Sequence, residues 1–203
     1  MNYKLRRALN KISLPGLMTY ICFAQGLVYV ANLLTGGNVG AAMSFSAPLI
    51  MQGEVWRAFT FLFEPVNTNP IWIVVSIIFY TSIGRTVETV WGSDKLTHFI
   101  IVGWFFTVIL GMISGSAHNY YVFLSLIMVC GTVCPRENVN LYMVLPIEMR
   151  YLGMAYAAIL VIFLIVRRDI TALAPIAAYL VFFGRSQIFA PLINKIKHRN
   201  FRN

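Results

Sequence analysis

Residues 53 to 65 read GEVWRAFTFLFEP, and their placement decides the architecture. Three charges, Glu54, Arg57 and Glu64, stand among three phenylalanines and a tryptophan. The stretch is too charged to cross a bilayer and too apolar to be a free loop. Such a segment is expected to lie in the membrane interface, half embedded, with Trp56 at headgroup level. It closes a longer connection, residues 35 to 69, which opens with the glycine-rich GGNVG at 36 to 40.

Outward from this connection the chain is strongly apolar. Of its 203 residues 59% are hydrophobic and 11% charged, against about 25% charged in soluble domains. The excess apolar surface needs an apolar solvent, which predicts an integral membrane protein of one domain, residues 1–203, with a core at 14–186. No charge falls between Lys11 and Glu54, Glu64 and Arg85, Lys95 and Arg136, Arg150 and Arg167, or Asp169 and Arg185. A spanning helix needs about 20 apolar residues. The gaps predict an all-helical bundle of six spans, at 14–34, 70–90, 96–113, 119–134, 149–166 and 171–186. Helices satisfy their own backbone groups in lipid, and no alternation points to a barrel. The first apolar run is too long for a cleaved signal and lacks a small-x-small site, so it is expected to remain as a helix.

Lys and Arg set the orientation. With both termini inside, 13 of 16 basic residues are cytoplasmic, and only Arg57, Arg167 and Arg168 lie outside. The net charge of +9 is therefore mostly a topology signal. The basic tail KIKHRNFR, 195–202, is expected to meet anionic lipid, and no domain accompanies it to favour nucleic acid. Short connections and this bias fit a bacterial plasma membrane. Cys22, Cys130 and Cys134 lie on apolar stretches without nearby histidines and read as packing residues. No metal or other cofactor is expected.

The order of motifs resembles the rhomboid superfamily. The first connection carries Gly53, Trp56-Arg57, Thr60, Phe63 and Pro65. The second span adds Gly84-Arg85, Glu88 and Trp91-Gly92. CPRENVNLYMVLPIEMRYLG resembles the link between the fourth and fifth helices. The resemblance covers residues 15 to 186. It implies a six-helix core and gives Trp56 and Arg57 a structural role in holding the first loop on the bundle.

Active rhomboids are intramembrane serine proteases, with a Gly-x-Ser-Gly serine opening helix four and a histidine base on helix six. A serine needs such a base, because it is a weak nucleophile alone. Here the serine slot falls near Asn119–Tyr121, in HNYYVFLSL, and holds no serine. The sixth span, TALAPIAAYLVFFGRS, holds no histidine. Neighbouring serines are Ser114, Ser116 and Ser125. Ser114 and His118 are four apart, and a helix through both would place them on one face. The polar run SGSAHN instead reads as a turn between spans. There is no H-E-x-x-H, and Asp94 and Asp169 fall at span ends.

Among the other polar residues, Arg85 and Glu88 are expected to pair across one turn, and Arg57 to pair with Glu54 or Glu64. His98 reads as interfacial. Gly111 and Gly115 form a G-x-x-x-G expected to allow close helix approach within the fold. The favoured function is non-catalytic. A pseudoprotease of this kind would bind membrane lipids and transmembrane segments of other membrane proteins, as catalytically dead rhomboid relatives do. Two alternatives stand beside it: an active intramembrane serine protease with a displaced site at Ser114 and His118 or at Ser116, and a small transporter or channel. The last is disfavoured by the near absence of ionisable side chains in spans one, four and six.

Overall fold

The computed structural model describes residues 14–66, 68–141, 145–166 and 170–184. The basic groups expected to flank the core, Lys4 to Lys11, Arg167 with Arg168, and the tail from Arg185 through Arg202, lie outside the described residues, as does Asp169.

The chain is mainly helical. Helix α1, Leu17–Thr35, is bounded by glycines in left-handed backbone, Gly16 at φ 71° and Gly36 at φ 63°. Three short helices follow in the first connection: α2, Asn38–Met43; α3, Ala47–Met51; and α4, Arg57–Thr60, which runs on into a 3-10 turn, Phe61–Phe63. Helix α5, Pro70–Trp91, starts on a proline, and the Asn69 side chain accepts the Ile71 N–H at 3.0 Å. Then come α6, Ser93–Ser114, and α7, Tyr120–Val133. Strands β1, Asn138–Leu141, and β2, Leu145–Glu148, pair antiparallel, with Asn138 opposite Glu148. Helix α8, Met149–Val166, follows directly. The last helical segment joins a 3-10 turn, Ile170–Ala172, to α9, Leu173–Tyr179, and a π-type turn, Leu180–Gly184.

Four helices, α1, α5, α6 and α8, are long and apolar enough to cross a membrane. Two more apolar helices, Tyr120–Val133 and Ile170–Phe183, are shorter. Fourteen residues rise only about 21 Å, less than a hydrocarbon core of about 30 Å. By length alone, therefore, four of the six expected spans qualify.

The short α7 is the centre of the bundle. Nine of its 14 residues are buried, on every side, as expected for a helix wrapped by others. Its densest contact is with α8, and glycine makes that contact possible. A methyl group on Gly131 would stand 2.8 Å from the Met149 carbonyl oxygen and 3.1 Å from the Gly153 Cα. Helix α1 packs on α5 the same way, since a methyl on Gly84 would collide with Met18 Cβ and Cγ. In apolar surroundings, helices associate by such close backbone approach. Two buried hydroxyls are satisfied within their own helices: Thr107 donates to the Gly103 carbonyl at 2.8 Å and Ser125 to the Val122 carbonyl at 2.6 Å.

The expected G-x-x-x-G contact does not form between helices. Gly115 has φ 94° and ends α6, where its N–H caps the Gly111 carbonyl. Gly111 faces connecting residues instead, with Phe45 and Ala117 against its Cα. The link after α7 is a hairpin rather than a plain connection, and the Met149 N–H donates to the Glu137 carbonyl where the hairpin enters α8. At this hairpin end Trp91 stacks on Phe183 at 5.5 Å and meets Phe99 and Phe182 edge-on. The three cysteines are buried and free.

Gly131→Val and Gly153→Val are each expected to destabilise the bundle by roughly 1–3 kcal/mol through overpacking. Because both act at one contact, the double variant should cost less than the sum. Thermal unfolding in detergent reads both effects, and full additivity would place the two glycines at independent contacts.

Candidate functional site

The first connection closes the end of the bundle opposite the hairpin, and its polar groups explain how. Arg57 is buried, at 7% exposure. Its Nε pairs with Glu54, and its guanidinium donates to the Ala41 carbonyl at 2.7 Å and the Ser44 carbonyl at 3.0 Å. Thr60, one turn on, donates to the Met43 carbonyl at 3.1 Å. Ala41, Met43 and Ser44 form the C-terminal end of α2, where carbonyls lack helical partners and a cation is favoured. Arg57 thus takes Glu54 rather than Glu64. Trp56 is exposed, consistent with an interfacial position.

Side chains of Trp104, Gln25 and Asn119 are among the ties that hold the connection on the bundle. Trp104 of α6 donates its indole N–H to the Ala58 carbonyl at 2.7 Å, and Phe59 stacks on the same ring at 4.9 Å. Gln25 of α1, 1% exposed, donates to the Leu62 carbonyl at 3.1 Å. Asn119, just before α7, donates to the Leu62 and Glu64 carbonyls. Under these bonds Phe45 and Phe61 meet edge to face, at 5.5 Å, in a small second core with Ala47 and Ala117. The sequence did not single out Gln25 or Trp104, and it marked Asn119 only as the edge of the serine slot. For Gln25 the available signal was an uncharged amide alone in an apolar run, which marks a helix-bundle hydrogen bond.

At the hairpin end the expected Arg85–Glu88 pair does not form. Arg85 is exposed, and the Glu88 carboxylate accepts the Gly16 N–H, at 2.9 and 3.1 Å from its two oxygens. An unpaired amide at the start of α1 offers a fixed donor at the positive end of a helix, and an exposed arginine prefers water. Gly92, at φ 94°, makes the turn from α5 into α6.

The serines and histidines are placed as follows. Ser114 donates to the Ser116 carbonyl at 2.8 Å. Helix α6 stops there, so no continuous helix carries Ser114 and His118 together. His118 is exposed and stacks on Tyr120 at 5.6 Å. The His98 Nδ1 lies 2.5 Å from the Asp94 carbonyl oxygen. Neither of these histidines is hydrogen-bonded to a serine. Among the described residues there is no group of three metal-ligating side chains.

Beneath the connection lies an apolar groove of about 560 Å³. Its walls are α1, through Tyr20, Ile21 and Ala24, and α6, through Ile100, Ile101 and Trp104; Phe59, Leu62 and Phe63 roof it. Tyr20 and Ile101 are exposed at 67% and 41%, so the groove opens to the side. No family model matches the chain, and no curated protein matches it.

Replacing Arg57 by methionine removes the donors to the Ala41 and Ser44 carbonyls and the counter-charge of Glu54, and should destabilise the first connection by about 1–3 kcal/mol. Hydrogen exchange should then rise across residues 38–60 while α7 stays protected. Global loss of protection would instead make Arg57 part of the main core.

Burial raises the Glu64 carboxyl above its ordinary value of 4.5. A carboxyl raised in the folded state is the more protonated there. Its contribution is greatest below the unfolded value and is lost as pH rises through the folded one. Stability should therefore fall with rising pH above about 4.5. Glu64→Gln should remove that slope and unfold at higher temperature than the parent at neutral pH.

Proposed function

We propose that the protein is a non-catalytic, rhomboid-like membrane protein that receives an apolar transmembrane segment of a client in the groove between α1 and α6. The groove itself carries this reading. Its lining is apolar apart from Thr97, it is open to the side, and it is roofed by a connection tied down through Trp104, Gln25 and Asn119. A hydrolytic site would need water, a nucleophile and a base within hydrogen-bond reach. A groove of leucine, isoleucine and phenylalanine offers instead a surface that exchanges lipid contact for helix contact.

In this reading α7 and the Ile170–Phe183 segment complete a six-helix, rhomboid-like bundle in which the central helix is short because its neighbours enclose it. Trp56, Arg57, Gly84 and Gly92 act as structural residues. The hairpin end faces the cytoplasm, in keeping with exposed Arg85, Lys95, Arg136 and Arg150 there. The setting is a bacterial-type plasma membrane.

The test is photo-crosslinking of a labelled single-span helix in nanodiscs, with the reactive group at Tyr20 or Ile101. Ile165, on the exposed face of α8, serves as control. Capture from the groove positions, reduced at least fivefold when Ala24→Trp fills the groove, is the expected result. Equal capture from Ile165 would remove the groove from the account. A reporter helix is expected to stay intact in the same nanodiscs; cleavage abolished by Ser114→Ala or Ser116→Ala would replace this reading with a displaced protease.

A further inference from the structure

A second cavity, of about 370 Å³, lies on the far side of the 3-10 turn. Its lining comprises Tyr29, Asn32 and Leu33 from the end of α1, Gly36 and Gly37, and Glu64, Pro65 and Thr68 from the run into α5. It belongs to the loop end, at the depth expected of lipid headgroups. The space is several times the roughly 30 Å³ of a water molecule.

Glu64 is the one charged group in this lining. Its carboxylate is half-buried, and among the described residues no cation and no hydrogen-bond donor meets it. The nearest arginine in sequence, Arg57, is fully engaged elsewhere. The carboxylate is also held in position. The Glu64 N–H closes the 3-10 turn on the Phe61 carbonyl at 3.2 Å, its carbonyl is held by Asn119, and Pro65 fixes the chain after it. The other hydrogen bonds leave acceptors facing the ligand. Tyr29 spends its hydroxyl proton on the Thr68 carbonyl at 3.2 Å, which leaves phenolic lone pairs. The Asn32 carbonyl oxygen accepts the Gly40 N–H. Gly36 and Gly37 carry no side chain into the space, and a methyl on either would meet nothing within 4 Å.

A desolvated carboxylate without a partner is costly, and a bound cation offsets that cost. A divalent metal would need several more oxygen ligands than one carboxylate supplies. A primary ammonium needs one counter-charge, two or three acceptors and an apolar wall for its methylene groups, here Leu33 and Pro65. We propose that this pocket binds a primary ammonium group, with Glu64 as its counter-ion. At headgroup depth the ethanolamine of a phospholipid is the favoured source, and a free small amine carries the same chemistry. The inference is independent of the groove.

The full chain is assayed in two ways: in detergent titrated with ethanolamine, and in nanodiscs of phosphatidylglycerol with or without phosphatidylethanolamine. Thermal unfolding is the readout. Saturable stabilisation by ethanolamine identifies a free-amine site. Stabilisation by phosphatidylethanolamine alone identifies a lipid site. In either case Glu64→Gln should weaken the response at least tenfold, and Glu148→Gln, at the hairpin end, should leave it intact. Lowering the pH through the Glu64 titration should weaken it as well, because ammonium and proton compete for one carboxylate. The Gln variant is isosteric, and its unfolding without amine shows that it is folded. No response to either amine, or an equal response in Glu64→Gln, overturns the proposal.

Discussion

A guanidinium enclosed by apolar side chains must have acceptors on several sides, and Arg57 finds them only if the first connection is wound as it is. Glu54 supplies the counter-charge, and α2 must end where its Ala41 and Ser44 carbonyls reach the planar head. Lysine, with a compact ammonium, would not span the same set. Once α2 and α4 are joined, Phe45 and Phe61 are brought into contact, and the connection gains a core of its own. It can then close one end of the bundle as a rigid cap.

The cap and the bundle are coupled through main-chain carbonyls rather than through charges. The Leu62 carbonyl accepts from both Gln25 and Asn119, so α1 and the start of α7 are registered on one turn. Both donors are nearly buried. Loss of either amide would leave the other bonded, so the two helices share the acceptor with some redundancy. Farther down, glycine controls the spacing. Gly84 brings α1 onto α5, and Gly131 with Gly153 brings α8 onto α7. The groove is the consequence: α1 is drawn toward α5 and held at its top by the cap, which leaves space between it and α6.

The helices were legible in the sequence because charge gaps and apolar runs report burial in lipid directly. The expected segments at 70–90, 96–113 and 149–166 differ from α5, α6 and α8 by only a few residues at each end. That the first connection is neither a span nor a free loop was legible too, from charges among aromatics: it forms three short helices. Partner choice was not. Glu88 turned from Arg85 to an amide 72 residues earlier, a competition that sequence spacing does not contain. Gly111 and Gly115 matched a helix-contact pattern, yet the end of α6 at Gly115 assigned one to a cap and the other to Phe45 and Ala117. The effective glycines, Gly131 and Gly153, belong to different helices, and no local motif joins them. The hairpin was missed because its strands are four residues each and lie between two apolar helices.

The 3-10 turn has two faces with opposite chemistry. Leu62 and Phe63 line the apolar groove, and Glu64 begins the polar cavity. The chain leaves the 3-10 turn at Glu64, which is extended at ψ 133°, and this separates its side chain from those of Leu62 and Phe63. The step from Leu62 and Phe63 to Glu64 divides the space beneath the cap into an apolar groove and a polar cavity. The division is stable because the turn is fixed at both ends, by Trp104 on the Ala58 carbonyl and by Asn119 on the Glu64 carbonyl. Phe63, one residue earlier, lines the apolar groove, where a charge would cost several kcal/mol.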